Sequence, residues 1–529
     1  MSTPKSLMSF KLTYSTMFDP PEELHVRFEA ALADVRARLG GTHPMFVAGH
    51  DKTAARTFEK RNPADHRQIL GRFPLCDHVD VNRAMEAAKN AFPGWRATSG
   101  AERMGLLRRA SEIIEERVYA IGAALSLDVG KNRMEALGEA QETADFFSRY
   151  AAEFERNHGF DQRLPDDPVA GYRSHNRSVL KPYGVWVVIS PFNFPLALAG
   201  GPVAAALVTG NTVVWKGPTD APWAGRLLAD CLRDAGFPAG VANYVSGTGV
   251  EAGEALTTHP DVAGITFTGS YEVGMGIYRA MSAGRYPRPC IAEMGGKNAC
   301  IVTAGADLER AALGIVRSAY GLSGQKCSAL SRVYVQDAIA DSLLEKVREK
   351  LWAIRVGDPS LRANWMGPVI SEQAAQKYVA YCADIVKGGG RIIEGGARLA
   401  GAEFDHGYFV PPTLAEAPPD HPLFQEEMFL PVLMVACVAN VREAVALANA
   451  VPYGLTAGCY GSVEEVRYFL DHAEAGVLYV NRPQGATTGA WPGYQPFGGW
   501  KGSGSTGKAI GSSYYLPLYM REQSQTIVE

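Results

Sequence analysis

Between residues 183 and 270, short apolar runs alternate with segments whose apolar positions recur at helical spacing. "YGVWVVIS" (183–190), "NTVVWKG" (211–217), "GVANYVSG" (240–247) and "VAGITFTGS" (262–270) read as buried strands. "APWAGRLLADCLRDAG" and "GVEAGEALTTH" between them read as helices. Strands alternating with helices predict a parallel, doubly wound sheet. A second series begins at "NACIVT" (298–303) and runs through "SRVYVQ" (331–336) to "GVLYVN" (476–481), which predicts a second α/β domain. Glu293 and the glycine pair after Met294 lie near the junction. Ahead of both series, "PPEELHVRFEAALADVRARL" predicts a helical arm, and "VDVNRAMEAAKNAFPGW" through "TADFFSRYAAEFERN" predicts successive amphipathic helices.

Composition narrows the class. A chain of 529 residues exceeds one core, and 47% hydrophobic with 20% charged residues describes a soluble globular protein. A net charge of −4 without a basic block argues against a nucleic-acid partner. Eight cysteines without paired spacing point to reduced thiols and a cytoplasmic location. The first residues lack the apolar core of a signal peptide. Residues 182–215 carry no charge, a length that would span a bilayer, but Pro191, Asn193, Pro195, Pro202 and Asn211 interrupt the run. A buried strand-loop-helix-strand unit is expected there, with no membrane partner. The eleven histidines are scattered, so no metal site is expected, and Cys76 near His78 reads as packing.

Candidate chemistry centres on "SGQKCSALSR" (323–332). A lone cysteine most often simply packs. Cys327, however, follows an ordered set of motifs: "PFNFP" (191–195), "WKGPTD" (215–220), "FTGS" (267–270), "EMGGKN" (293–298) and "GQKCSA" (324–329), then "EEMFLP" (426–431) and "PFGG" (496–499). With these seven motifs in order, the chain resembles the aldehyde dehydrogenase superfamily over roughly residues 50 to 520. The resemblance implies two doubly wound α/β domains and a small β flap. The NAD-binding domain would take residues 1–161 and 182–293, with a helical arm over 1–45. Residues 294–505 would form the catalytic domain, and 162–181 with 506–529 the oligomerisation flap of a homo-oligomer, a dimer or dimer-based assembly.

The implied chemistry agrees with the residue types. An aldehyde releases hydride only after a nucleophile makes its carbonyl carbon electron-rich, and Cys327 is the expected nucleophile. The side-chain amide of Asn193 and the backbone N–H of Cys327 would stabilise the adduct's oxyanion. Glu293 would activate the water that cleaves the thioester, its tight surroundings raising its pKa towards its working pH. Its presence favours hydrolysis to a free acid over transfer to coenzyme A, and Lys297 is expected only as a support.

For the cofactor, the resemblance carries over Ser190, Pro191 and Phe192, with Lys216 for the adenosine ribose. Gly269, Ser270 and Gly274 would serve the pyrophosphate at a helix N-terminus. Glu427 would hold the nicotinamide ribose and Phe429 would pack beside the ring. The string "GTGVEAG" (247–253) is a weak glycine match and is passed over. Leu430 stands where the family has glycine, and "KGPTD" replaces the commoner "KPSE", leaving open whether Thr219 or Asp220 meets the ribose. An acid there favours NAD, with NADP as the alternative.

Three stretches are most similar to the 1-pyrroline-5-carboxylate dehydrogenase branch, which oxidises L-glutamate γ-semialdehyde. They are "GQKCSALSR", "GATTGAWPGYQPFGG" (485–499) and the helical region ending "GEAQETADFF". The resemblance places the substrate carboxylate on Ser328 and the N–H groups of Gly489 and Ala490. Phe194 and Phe497 would line the pocket, and Glu139 or Glu142 would line it or bind water. Trp491, Pro492, Tyr494 and Trp500 leave two alternatives: packing under the flap, or a tunnel reshaped for a larger aromatic or long-chain aldehyde. A Cys-His hydrolase is disfavoured, because no histidine lies within thirty residues of Cys327. A non-catalytic protein on this fold would have little need for Cys327, Glu293 and Asn193 together.

Overall fold

The computed structural model describes residues 11–168 and 170–529. Five parallel strands form the first sheet, ordered Cys290–Glu293, Val262–Thr268, Val185–Ile189, Thr212–Lys216 and Ala242–Val245. Two antiparallel strands, Met45–Val47 and His50–Lys52, extend it beyond Ala242–Val245. The apolar runs are nearly continuous because both faces are covered. Val185 and Val187 point into a core shared with Val81, Met85 and Ile277, whereas Trp186 and Val188 point into one shared with Phe147, Val203 and Leu228. The uncharged run resolves into the strand Val185–Ile189, the buried helix Ala197–Val208 and the strand Thr212–Lys216. Among the described residues, no helix is long and apolar enough to cross a membrane. The predicted helix over "GVEAGEALTTH" forms across Gly249–Thr258, with a π-helical turn at Gly249–Gly253 leading into an α-helix at Glu254–Thr258.

The second sheet has the order Arg391–Glu394, Thr413–Glu416, Val432–Val438, Leu330–Gln336, Asn298–Val302, Thr456–Tyr460, Val477–Val480. All pairs are parallel except the first. Alternation again divides two cores, with Ala299 and Ile301 on one side and Cys300 and Val302 on the other. The chain passes between the sheets across Met294–Lys297.

The N-terminal helix Glu22–Arg36 buries Leu24, Phe28, Leu32 and Val35 against Leu127 and Leu137. Each such side chain contributes roughly 1.5–3 kcal/mol when fully buried. That docking fixes the preceding residues 11–18 beside the helix Arg133–Arg156. A separate three-stranded sheet joins Asp161–Arg163, Ser174–Pro182 and Met520–Val528, the last two paired over nine residues.

The first sheet also has a switch point. From Val185–Ile189 the chain builds outward to Ala242–Val245, then returns to the other side with Val262–Thr268. Connections leaving the carboxyl ends of these neighbours diverge and open a crevice, where doubly wound sheets hold ligands.

Candidate active site

Cys327 sits at the end of a pinned turn. The helix Leu308–Tyr320 stops before Leu322 and Ser323, whose φ angles are +50° and +54°. Such angles cost on the order of 1 kcal/mol each for residues other than glycine, so the surroundings must hold them. Glu135 accepts the Leu322 N–H at 3.1 Å, and the Ser323 hydroxyl donates to the Gly367 carbonyl at 2.7 Å. The Gln325 amide ties Leu322 to Ile370. Lys326 pairs with Glu135 at 2.6 Å, and Asn298 donates to the Cys327 carbonyl at 2.7 Å. The thiol is half-buried and faces a cavity.

Two carboxylates shape its protonation. Burial pushes the Cys327 thiol up to about 12, and the nearby carboxylates of Glu427 and Glu293 add to the shift, while the backbone N–H groups of Ser328 and Cys327 oppose it. Glu293 ends the edge strand of the first sheet, held by a bridge to Gly504 and by Met294 donating to the Ser503 carbonyl at 2.9 Å. Its carboxyl is buried, with one oxygen lacking any partner among the described residues, and burial raises its pKa to about 8. Glu427 accepts the Gly296 N–H at 2.9 Å and is raised to about 7, again by burial. It packs directly over Gly295, where a β-carbon would collide with the carboxylate. The Lys297 amine is buried without a partner among the described residues.

Asn193 leaves the crevice buried. Its carbonyl accepts the Phe194 N–H at 3.1 Å, so the amide's orientation is set and its NH2 donates to no described residue. An oriented, uncommitted amide is what an oxyanion donor requires.

The crevice collects the residues assigned to the cofactor. Ile189 and Lys216 are register partners, so Ser190, Pro191 and Phe192 leave the sheet beside Lys216. The Ser190 hydroxyl is buried without a partner among the described residues. The Lys216 ammonium has one carbonyl partner, Gly217 at 2.9 Å, and burial lowers its pKa to about 8. Gly269 follows the neighbouring strand Val262–Thr268, and Ser270 caps the helix Tyr271–Ser282 by accepting the Val273 N–H. Gly274 lies against Met294, where a β-carbon would come within 2.7 Å of sulfur. Phe192 meets Phe429 edge to face at 5.8 Å, joining the loops of the two sheets. Under-satisfied polar groups at a switch point fit a dinucleotide. The Thr219 hydroxyl donates to the Gly247 carbonyl at 3.0 Å, whereas Asp220 is exposed. Leu430 is buried in the core of the second sheet, its carbonyl pressed against Gly324.

Phe194, Ser328, Gly489, Ala490 and Phe497 line the same cavity as Cys327. Among the described residues, the N–H groups of Gly489 and Ala490 have no hydrogen-bond acceptor. Of the two glutamates considered on the helix Arg133–Arg156, Glu142 lines the cavity, raised to about 8 by burial. Glu139 does not: fully buried, it pairs with Lys131 at 2.6 Å and caps the helix Ala197–Val208 through the N–H groups of Leu196 and Ala197. The aromatic loop divides similarly. Trp491 and Pro492 line the cavity, with the indole N–H bonded to Asp145 at 2.7 Å. Tyr494 and Trp500 are exposed and take no part in it.

Sequence reasoning missed part of this wall. Tyr14 donates to Glu142 at 2.8 Å and meets Trp491 edge to face at 5.0 Å. Phe18 lies under the Arg317 guanidinium at 3.5 Å, and both line the cavity. Nothing local marks these positions, because their place in the wall depends on how the helix Glu22–Arg36 docks.

The profile of the aldehyde dehydrogenase family matches residues 50–524. The 1-pyrroline-5-carboxylate dehydrogenase of Geobacillus thermodenitrificans (strain NG80-2) is 38% identical over 511 residues, covering 95% of this chain and 96% of the relative. The 1-pyrroline-5-carboxylate dehydrogenase 2 of Bacillus subtilis (strain 168) is 37% identical over 512 residues, with the same coverage of 95% and 96%. A crystal structure of 1-pyrroline-5-carboxylate dehydrogenase from Thermus with bound NAD is similar at a TM-score of 0.92 and 34% identity, covering 99% of this chain and 100% of the other.

Proposed function

The chain belongs to the aldehyde dehydrogenase family, and from that membership we propose that it oxidises L-glutamate γ-semialdehyde, the open form of 1-pyrroline-5-carboxylate, to L-glutamate with NAD. The observation that carries the reading is the cavity holding Cys327 together with Ser328, Gly489 and Ala490. A thiol at one end and a hydroxyl with two uncommitted amides nearby suit an aldehyde that bears a carboxylate. Similarity to curated 1-pyrroline-5-carboxylate dehydrogenases over nearly the whole chain supports the same substrate.

In the proposed mechanism the Cys327 sulfur adds to the aldehyde carbon as its proton passes to water in the site and on to solvent. The oxygen of the thiohemiacetal then takes hydrogen bonds from the Asn193 amide and the Cys327 N–H. When bound, NAD accepts the hydride that turns this adduct into a thioester. Ser190, Lys216 and Ser270 would hold the cofactor, with Glu427 and Phe429 beside its reactive end. Glu293 removes a proton from water, the hydroxide attacks the thioester carbon, and the acid leaves as the Cys327 thiol reforms. The exposed position of Asp220 supports NAD over NADP, because an acid repels a 2′-phosphate.

Free thiols at all eight cysteines support a cytoplasmic location. The strand Met520–Val528 forms an edge of its small sheet, and the unpaired N–H and C=O groups of an edge strand offer a template for a second copy, which supports a homo-oligomer.

Initial-rate NAD reduction tests the substrate. The proposal expects a kcat/KM for L-glutamate γ-semialdehyde at least about a hundredfold above benzaldehyde and hexanal, a difference of roughly 3 kcal/mol. A preference for the apolar aldehydes would instead assign the cavity's aromatic wall as the recognition surface. Cys327→Ala should abolish turnover with NAD binding retained, and residual turnover would remove Cys327 from its role.

A further inference from the structure

Arg482 follows the strand Val477–Val480 and lies behind the loop that carries Gly489 and Ala490, away from the cavity. One arm of its guanidinium donates to the Thr488 carbonyl at 3.0 Å, and the other to the Gly489 carbonyl at 3.2 Å. These two carbonyls are not arbitrary. The Thr488 carbonyl shares a peptide unit with the Gly489 N–H, and the Gly489 carbonyl shares one with the Ala490 N–H. Arg482 therefore holds, by their far ends, the two peptide groups whose N–H ends are uncommitted.

We propose that Arg482 is the positioning residue of the substrate's carboxylate cradle, orienting and polarising the Gly489 and Ala490 amides from behind. The inference rests on the reading that these amides bind that carboxylate. A charged donor on a carbonyl draws electron density from the amide nitrogen and strengthens its N–H as a donor, the cooperativity of linked hydrogen bonds. A planar fork with a fixed spread does this to two adjacent carbonyls at once, whereas a lysine offers rotatable donors from a single point. The guanidinium also brings positive charge near the site without spending its own hydrogens on the ligand.

Three further contacts hold the fork in place. The guanidinium lies over the Tyr479 ring at 4.8 Å, Ser15 takes a 3.0 Å hydrogen bond from it, and the Tyr460 hydroxyl donates to the Arg482 carbonyl at 2.5 Å. Gly489 is part of the device. Its φ is +104°, and a β-carbon there would stand 2.8 Å from the guanidinium, so only glycine permits both the turn and the approach. The same relation explains why the loop's amides face the cavity although nothing among the described residues accepts from them.

The test compares L-glutamate γ-semialdehyde with pentanal, which has the same chain length but neither carboxylate nor ammonium. Arg482→Gln should raise KM for the amino-acid aldehyde by about tenfold or more, the loss of roughly one charge-assisted hydrogen bond. Its kcat, and both constants for pentanal, should stay close to wild type. Arg482→Lys keeps the charge without the fork and should recover only part of the loss. NAD binding, followed by fluorescence quenching, identifies folded variants. Equal changes for both aldehydes, no change for either, or full recovery by lysine would each overturn the role of Arg482. A wild-type enzyme that does not favour the amino-acid aldehyde would instead overturn the cradle, a result readable before any variant is made.

Discussion

Tyr14 and Glu142, 128 positions apart, share a 2.8 Å hydrogen bond in the wall of the cavity that holds Cys327. The arm that precedes the first helix thus supplies part of that cavity's wall. Tyr14 also presses on Gly138, where no larger residue fits beneath it.

Tyr14→Ala should widen the cavity and relax its length limit. The void left by a buried aromatic costs about 3 kcal/mol when the site cannot collapse. We expect a lower melting temperature and a higher kcat/KM for octanal relative to propanal. Tyr14→Phe keeps the ring, so it should preserve size selection. It also removes a bond that favours ionised Glu142, moving that carboxyl further above about 8. An unchanged octanal-to-propanal ratio in the alanine variant would rule out the arm as a length gauge.

Glu293 makes a prediction about stability with a defined sign. Its pKa rises from 4.5 to about 8 through burial. Between those values the unfolded chain has released a proton that the folded chain retains, so stability falls as pH rises through this window and levels off above it. The loss approaches the order of 3–5 kcal/mol near pH 8. Glu293→Gln should therefore melt higher than wild type at pH 8 and nearly alike at pH 4.5. The same variant should release a single burst of NADH per site and then stall as acyl-enzyme.

If thioester hydrolysis limits turnover, wild-type kcat should rise with pH through an apparent pKa near the value of about 8 set by the burial of Glu293. A flat profile between pH 6 and 9 with the burst still present would assign the base elsewhere.

Glu427 should restrain the thiol. After burial, its charge is the largest cause raising Cys327. Glu427→Gln should shift the midpoint of iodoacetamide alkylation to lower pH without abolishing the burial effect. An unmoved midpoint would show that the Glu427 carboxylate does not reach the sulfur.

The pair Lys326–Glu135 should hold the nucleophile's turn. Both side chains are largely buried, and Glu135 also anchors the Leu322 N–H. Glu135→Gln leaves a cation with a weaker partner and should cost up to about 3 kcal/mol, read by urea unfolding. Activity should fall through kcat, because the strained φ angles at Leu322 and Ser323 lose their support.

Much of this was written locally. The strands Val185–Ile189, Thr212–Lys216, Val262–Thr268 and Asn298–Val302 could be read from apolar runs because each is buried on both faces, which leaves a signal within five to seven residues. The family could be read from the order of seven short motifs, since a nucleophile or a phosphate turn needs particular residues at fixed spacing. Within "GVEAGEALTTH" the sequence pattern did not separate the π-helical turn Gly249–Gly253 from the α-helix Glu254–Thr258, because so short a stretch holds too few turns to define a period.

Tertiary structure alone decided the rest. Glu139 and Glu142 lie three residues apart, only about 60° apart around the helix, yet Glu139 is sealed against Lys131 and Glu142 meets Tyr14 and the cavity, so the elements docked on that face divide them. Trp491 enters the wall while Tyr494, three residues on, is exposed. Tyr14 on Glu142 and Arg482 behind Gly489 depend on how whole elements dock. Sequence determines which groups are present and how each segment folds; long-range packing determines which of them meet, how dry their meeting place is, and so which protons they hold.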